Sequence, residues 1–346
     1  MQQDPAPAEH GGHGTDSFAG SQDSHGVQKV HGKPHHHHHH HGHHHHHHHK
    51  EDGTLEISPD MIEEIRSHLT EEFRGVDDQL VSMFIRATNA NMALSAKRLQ
   101  TTLEWRRDHR AAEIVCTACQ AAPRSHYMHV VGYDLLQRPI IYSCNNLASN
   151  RDFQDNWNHM IQSFEMAIKC MPPGVEQWIW ILDFHGFSMA DVNPKLAKAF
   201  LDVAGEHYPE RLGYFLVLDA PTVFSMLWRA IEVFIDRKTH KKIAWKSCDL
   251  HLPGDKSKLR AELAKHADDE TRGWLEQEIL HNRDKAKVAA NKYDYAVIHE
   301  QCKGGAPPPA VAGEHNCHGT PQLLSWFAEH PESLQPQATS HKAAAA

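Results

Sequence analysis

The run Trp178-Ile179-Trp180-Ile181-Leu182 is apolar at five consecutive positions and ends at Asp183. A strand with water on one face alternates apolar and polar side chains, whereas an unbroken run fits a strand covered on both faces, the normal situation in a parallel sheet. Phe215-Leu216-Val217-Leu218 repeats the pattern, and Ile140-Ile141-Tyr142 and Ile243-Ala244-Trp245 are shorter versions. Helical segments lie between them. Asn156 to Met171 puts Trp157, Met160, Ile161, Phe164, Ala167 and Ile168 on one face and stops at Pro172-Pro173-Gly174; Pro194 to Glu206 is a second. Buried strands alternating with helices predict an α/β fold with a mainly parallel sheet flanked by helices.

The helix after the Phe215 strand is unusual. Ala220-Pro221 breaks the chain, and Thr222–Ile235 then carries its polar residues at Ser225, Arg229 and Glu232, with Asp236 following. Steps of four, three and four place these on one narrow stripe. The rest, including Phe224, Leu227, Trp228, Ile231 and Phe234, is apolar over more than half the circumference. Such a helix needs apolar partners on more than one side. It is either a core helix with one wet edge or a movable lid between a lipid-filled cavity and a membrane surface. The basic cluster Arg237-Lys238-Thr239-His240-Lys241-Lys242 follows it.

Four regions are expected. Residues 1–57 form a disordered tail with two runs of seven histidines, His35–His41 and His43–His49, too poor in branched apolar residues to offset chain entropy. Residues 58–115 form a small all-helical module. It opens at Ser58-Pro59-Asp60, is interrupted at Asn89-Ala90-Asn91 and closes at Glu104-Trp105-Arg106-Arg107. Residues 116–282 form the α/β domain, with its core at about 127–250. Leu259, Leu263, Trp274, Leu275, Ile279 and Leu280 dock its last helices. Residues 283–346 read as a mostly flexible tail, within which Leu323-Leu324 and Trp326-Phe327 suggest a short motif for an unidentified protein partner.

Composition excludes several functions. A net charge of −9 disfavours a general nucleic-acid binder. No apolar run is long enough for a membrane span, and the N-terminus lacks a secretory pattern. The seven cysteines are odd in number and irregularly spaced, as expected of reduced thiols in the cytoplasm. Cys116-Thr117-Ala118-Cys119 is a lone CxxC with no second ligand pair at zinc spacing, so no metal site is expected. The usual phosphate-loop, nucleophile-elbow and zinc-protease motifs are missing. Asp183 stands at a strand end where α/β enzymes place catalytic groups, with His185 and His207 nearby, but no activated nucleophile accompanies them. Asp183 reads as a turn-ordering residue, and no catalytic residue is expected.

Four segments in order resemble the CRAL-TRIO lipid-transfer family: Leu80–Trp105 with Glu104-Trp105-Arg106; Gly132-Tyr133-Asp134 with Arg138-Pro139; Ile181-Leu182-Asp183-Phe184-His185-Gly186; and Tyr208-Pro209-Glu210-Arg211-Leu212-Gly213 through Lys241-Lys242-Ile243. The resemblance covers roughly residues 58–280. It implies a carrier in which one lipid lies between the sheet and a mobile gate helix, here Thr222–Ile235. The pocket and gate would then comprise Trp178, Trp180, Phe215, Phe224, Leu227, Trp228, Ile231 and Phe234. In the phosphatidylinositol-binding branch, the positions of Glu210, Thr239 and Lys242 hold the headgroup. That branch's Arg-Lys pair in the N-terminal module is Thr88-Asn89 here, so part of the expected phosphate charge is missing, and Trp178 and Trp180 stand where phosphatidylcholine-binding members carry small hydroxylated residues.

The expectation is therefore a cytoplasmic, peripherally membrane-associated protein that exchanges phosphatidylinositol or another hydrophobic lipid through transient contact with membrane surfaces. Lipid would be its ligand, and no other cofactor is expected. The alternative is a lipid-sensing adaptor that binds protein partners without bulk transfer.

Overall fold

The computed structural model describes residues 55–144, 148–290, 293–302 and 315–334, which belong to one compact unit. The His-rich stretch lies outside the described residues. In chain order the helices are α1 (Pro59–His68), α2 (Asp78–Ala87), α3 (Met92–Asp108), α4 (Thr117–Ala121), α5 (Phe153–Lys169), α6 (Pro194–His207), α7 (Thr222–Ile231), α8 (Arg237–His240), α9 (Lys258–Leu263), α10 (Asp269–His281), α11 (Lys285–Ala290), α12 (Tyr295–Cys302) and α13 (Pro321–Glu329). The strands are β1 (Met128–Tyr133), β2 (Pro139–Cys144), β3 (Trp178–Asp183), β4 (Leu212–Leu218) and β5 (Ile243–Lys246).

The five strands form one sheet in sequence order. β2 through β5 are parallel, and β1 pairs antiparallel with β2 on the edge. The α/β fold with a mainly parallel sheet is as expected. Alternation along each strand divides the side chains between two helical layers. Trp178, Trp180 and Leu182 face the layer of α5, α6 and α7: Trp180 packs edge-on against Phe164 of α5, and Leu182 joins a cluster with Phe224 of α7. Tyr142 and Tyr214 face the other layer, where the Tyr142 hydroxyl accepts a hydrogen bond from Asn282 (2.9 Å) and the Tyr214 hydroxyl donates to Glu262 of α9 (2.8 Å).

β1 was not foreseen as a strand. With β2 it forms a hairpin at the Gly-Tyr-Asp and Arg-Pro motif. The Asp134 carboxylate accepts from the backbone N–H groups of Leu136 (2.9 Å) and Arg138 (2.7 Å) and from Arg138 Nε (2.7 Å), while Gln137 takes a left-handed φ of 59°. One carboxylate thus holds the turn that brings β1 back along β2.

The helical module has its own small core around Ile65, Phe84, Ile85 and Leu99. Asn89 and Ala90, both left-handed, break α2 from α3 at the predicted interruption. Ser58 caps α1 by accepting from the Met61 N–H. The module docks through the basic end of α3. Arg106 grips Glu165 of α5 with two hydrogen bonds (2.7 and 2.9 Å), and Trp105 lies flat on His207 of α6.

The tail expectation needs correction. Residues 293–302 and 315–334 are largely helical and packed, and Leu323, Leu324 and Phe327 belong to the main core. The Thr320 N–H donates to Val131 O of β1 (2.8 Å), and the Thr320 side chain caps α13. A Cβ on Gly132 would come within 2.8 Å of the Thr320 methyl, so only glycine admits this approach. The segment covers the edge strand. The Leu-Leu and Trp-Phe pairs are therefore internal packing residues rather than a protruding partner motif, because the amphipathic helix finds its apolar partner on β1. Leu280, expected to dock α10, is instead 43% exposed.

Candidate functional site

α7 lies across the helical-layer face of the sheet. Phe224, Leu227 and Ile231 follow one another at steps of three and four, and all are buried against Phe184 and Val217, with Phe215, Leu182 and Phe187 alongside. The Phe224 and Phe184 rings are 4.2 Å apart. Trp228 closes one flank by packing edge-on against Trp245 at 4.9 Å. The opposite side of the helix is left in water: Met226 is 66% exposed and Val233 is 74% exposed. Both faces of this segment are thus apolar, and only one is covered.

The helix expected over Thr222–Ile235 is shorter than predicted. The α-helix ends at Ile231, a tighter turn spans Glu232–Phe234, and Ile235 is extended. Phe234 is consequently rotated away from the sheet. It is 60% exposed and lies under the Lys198 ammonium at 5.5 Å, so it does not line the interface as expected. The segment is bounded on its other side by Asp219, whose φ of 49° is left-handed, and by Pro221.

The two strand indoles share the α5 face, as a spacing of two requires. Trp178 is 2% exposed and stacked on Phe164 at 4.8 Å, deep in the main core rather than at the gate. Trp180 sits between the main core and the α7 cluster: it packs on Phe215 at 5.2 Å, and its Nε1 donates to Ser143 Oγ (2.8 Å). Phe184, Phe187 and Trp245, absent from the predicted pocket set, also pack around α7. Their signal was their position immediately after β3 or within β5.

The three predicted headgroup residues gather where β4 and β5 begin. Glu210 adopts a left-handed φ of 60° in the Tyr-Pro-Glu-Arg turn, and its carboxylate accepts from Lys238 Nζ (2.6 Å). Thr239 Oγ1 donates to Asp236 (2.5 Å), whose other oxygen caps α8. Lys242 Nζ donates to the carbonyl of Leu212 (2.5 Å). Burial depresses the Lys242 ammonium below its usual value, and Glu210 partly restores it. The remainder of the motif is structural: the Tyr208 hydroxyl donates to Glu165 (2.6 Å), and Arg211 donates to Glu176 O (3.0 Å). Thr88 is buried, its hydroxyl on Ser95 and on the Phe84 carbonyl, while Arg86 pairs with Glu176.

Asp183 is fully buried. It accepts from Tyr142 (2.9 Å), from the His185 N–H (3.0 Å) and from both terminal nitrogens of Arg283 (2.8 and 3.0 Å). The turn-ordering reading holds, with a cation that no local pattern announced. His207 lies far from it in the α3–α6 contact.

Cys116 and Cys119 have neighbours that sequence spacing did not disclose. His126, just before β1, and His159, on α5, bring imidazole nitrogens to the two sulfurs, and the four candidate ligand atoms lie within 4.8 Å of one another. The Cys119 thiol and the two imidazoles stabilise a Cys116 thiolate, holding it far below the ordinary thiol range, and the Cys119 thiol is pushed up in turn. These groups border a cavity of about 430 Å³ to which no gate residue contributes.

Residues 124–263 match the CRAL/TRIO domain model. The chain carries a CRAL/TRIO domain. It is 30% identical over 199 residues to a CRAL-TRIO domain-containing protein of Schizosaccharomyces pombe, covering 57% of this chain and 19% of that one. It is 23% identical over 226 residues to a CRAL-TRIO domain-containing protein of Caenorhabditis elegans, covering 60% and 31%. It is 26% identical over 172 residues to the phosphatidylinositol transfer protein PDR17 of Saccharomyces cerevisiae, covering 46% and 49%. The chain thus spans less than half the length of each of these curated relatives. CRAL/TRIO domains are lipid-binding and lipid-transfer modules, which agrees with the lipid-binding expectation. Among the described residues, no helix is long and apolar enough to cross a membrane.

Proposed function

We propose that this chain holds one lipid between the sheet and α7 and exchanges it between membranes, with phosphatidylinositol the favoured lipid. The observation that carries the reading is the two-faced α7 segment. Phe224, Leu227 and Ile231 cover the sheet, while Met226 and Val233 face solvent beside exposed Arg229, Arg237, Lys238 and Lys241. A membrane surface offers both an apolar layer for the former pair and anionic headgroups for the cations, each cation contributing about 1 kcal/mol near an anionic surface.

Energetics are consistent with a gate. Full burial of each inner side chain is worth roughly 1.5–3 kcal/mol. Lifting α7 costs that sum. An acyl chain recovers about 0.8 kcal/mol per methylene when it takes the vacated place, so about ten methylenes offset the loss. Left-handed Asp219 before the helix and the tight turn after it supply two ends at which the segment can swing.

For the headgroup, Lys242 and Lys238 offer charge to a phosphate, and Glu210 and Thr239 offer polar partners to ring hydroxyls. Each already has an internal partner, so headgroup binding exchanges the Lys238–Glu210 pair and the Lys242–Leu212 hydrogen bond for lipid contacts. Native mass spectrometry of protein purified from cells tests the reading. One bound phospholipid per chain, together with transfer between liposomes, is the expected result; repeated recovery of lipid-free protein without transfer rejects it. Bound lipid without transfer favours the adaptor alternative, to which the internally paired headgroup residues lend weight.

A further inference from the structure

The proposed lipid site does not use the cluster formed by Cys116, Cys119, His126 and His159. The first two bracket the N-terminal turn of α4, His126 lies in the extended segment leading to β1, and His159 projects from the second turn of α5. Cys116 Sγ is 3.4 Å from His126 Nδ1, and Cys119 Sγ is 3.4 Å from both His126 Nδ1 and His159 Nδ1. A tetrahedral zinc with Zn–S about 2.3 Å and Zn–N about 2.0–2.1 Å separates its sulfur and nitrogen ligands by about 3.5 Å. The observed edges match that tetrahedron.

The surroundings orient the ligand atoms. His159 Nε2 lies 2.8 Å from the Met128 carbonyl. A carbonyl only accepts, so Nε2 carries the proton and Nδ1 turns its lone pair to the sulfurs. This is the outer partner expected of a metal-bound histidine. The Cys116 N–H donates to Gln162 of α5 (2.7 Å), and Ser125 Oγ donates to the Ala118 carbonyl (2.9 Å), so both arms of the α4 loop are held. His126 is 4% exposed, and among the described residues its Nε2 has no hydrogen-bond partner and its ring's polar contacts are the two sulfurs. A buried imidazole held by stacking on His159 at 4.7 Å and by weak thiol contacts is poorly compensated, whereas a metal ion on Nδ1 would anchor it.

We infer that Cys116, Cys119, His126 and His159 bind one zinc ion in a closed Cys2His2 site that fastens the α4 loop to α5. Two thiolates and two neutral imidazoles suit zinc, a borderline-soft cation without geometric preference of its own. Binding releases the proton of the Cys119 thiol to solvent, Cys116 being already held as a thiolate, and the dication with its two thiolates is then electrically neutral, which suits a buried position. Four protein ligands leave no open coordination position, so the ion is structural.

The histidines of the His35–His49 tract would take up added metal through imidazole alone, so total metal content is not the discriminating readout. Sulfur-to-cobalt charge transfer is. The reduced, chelator-stripped full chain, titrated with Co²⁺, is expected to develop near-ultraviolet thiolate charge transfer and intense tetrahedral visible bands that saturate at about one equivalent per site and are abolished by added Zn²⁺. Cys119→Ser is expected to lose most of the charge-transfer intensity. His126→Cys, which adds a third thiolate, is expected to strengthen and red-shift it, and this comparison decides the matter if Cys119→Ser does not fold. Absence of the thiolate band in the reduced wild-type chain overturns the proposal, and the pair would then be a thiol–imidazole cluster or a redox dithiol. Equal band intensity in wild type and His126→Cys overturns it as well.

Discussion

Arg283 reaches across from the end of α10 to place both terminal guanidinium nitrogens on Asp183, the last residue of β3, and one of them also bonds Asp219 after β4 at 2.6 Å. The two carboxylates stand at the ends of neighbouring parallel strands, and one cation bridges both. Burial works against the Arg283 charge, but the two aspartates more than compensate and raise its pKa. Arg283→Met leaves a fully buried Asp183 without a counter-charge, which costs about 3–5 kcal/mol. Urea unfolding checks this. The double variant Asp183→Asn with Arg283→Met is expected to regain part of the loss, because a neutral amide keeps the Tyr142 and His185 partners.

That contact illustrates what a local reading reaches. The Trp178–Leu182 run, the α7 stripe and the Asp134–Arg138 turn announce themselves within a few residues, since hydrophobic periodicity and turn chemistry are local. Arg283 lies 100 residues from Asp183, and no spacing rule links them. The same holds for His126 and His159 with the CxxC, a ligand set assembled by the fold. β1 gives no clear strand signal because Met128-His129-Val130-Val131-Gly132-Tyr133 contains a histidine and a glycine, yet all six residues are buried once 315–334 covers them. Phe234 leaves its expected face for a subtler reason. The helical period breaks where the turn tightens at Glu232, and three residues of tighter winding suffice to rotate a side chain off its face.

His207 gives the fold a pH dependence. It is stacked on Trp105 with centroids 4.0 Å apart and hydrogen-bonded to Thr102 at 3.1 Å. Burial, with the neighbouring charges of His109 and Arg106, lowers its pKa from 6.5 to about 4. The unfolded imidazole therefore takes a proton at a pH where the folded one refuses it. Stability from this site is complete above pH 6.5 and is lost as pH falls toward 4, by roughly 3 kcal/mol at most. His207→Phe keeps the stacking and removes the titration. Thermal melts across that window should decline less steeply for the variant than for wild type; parallel declines would remove His207 from the account.

The exposed side of α7 separates transfer from stability. Met226→Glu sits in solvent, so its effect on unfolding free energy is expected within about 0.5 kcal/mol. A carboxylate there opposes both apolar insertion and anionic headgroups. Vesicle co-sedimentation and liposome transfer are expected to fall about tenfold, which corresponds to roughly 1.4 kcal/mol. Unchanged transfer would mean that this side of α7 does not meet the membrane.

Lys242 tests lipid identity. Its ammonium is half buried, hydrogen-bonded to Leu212 O and electrostatically coupled to Glu210, so truncation to alanine would mix packing loss with charge loss. Lys242→Met keeps the stem and removes only the charge and the hydrogen bond. Because burial already disfavours the ammonium, the cost to folding is expected to be small, about 1 kcal/mol for the unpaired carbonyl. Loss of a phosphate-facing cation is expected to cost more in binding, about 1.5–3 kcal/mol. Lipidomics of the purified variant should then show phosphatidylinositol depleted relative to neutral lipids. An unchanged lipid profile would take Lys242 out of headgroup recognition, and with it the strongest residue-level argument for an inositol phospholipid over other cargo.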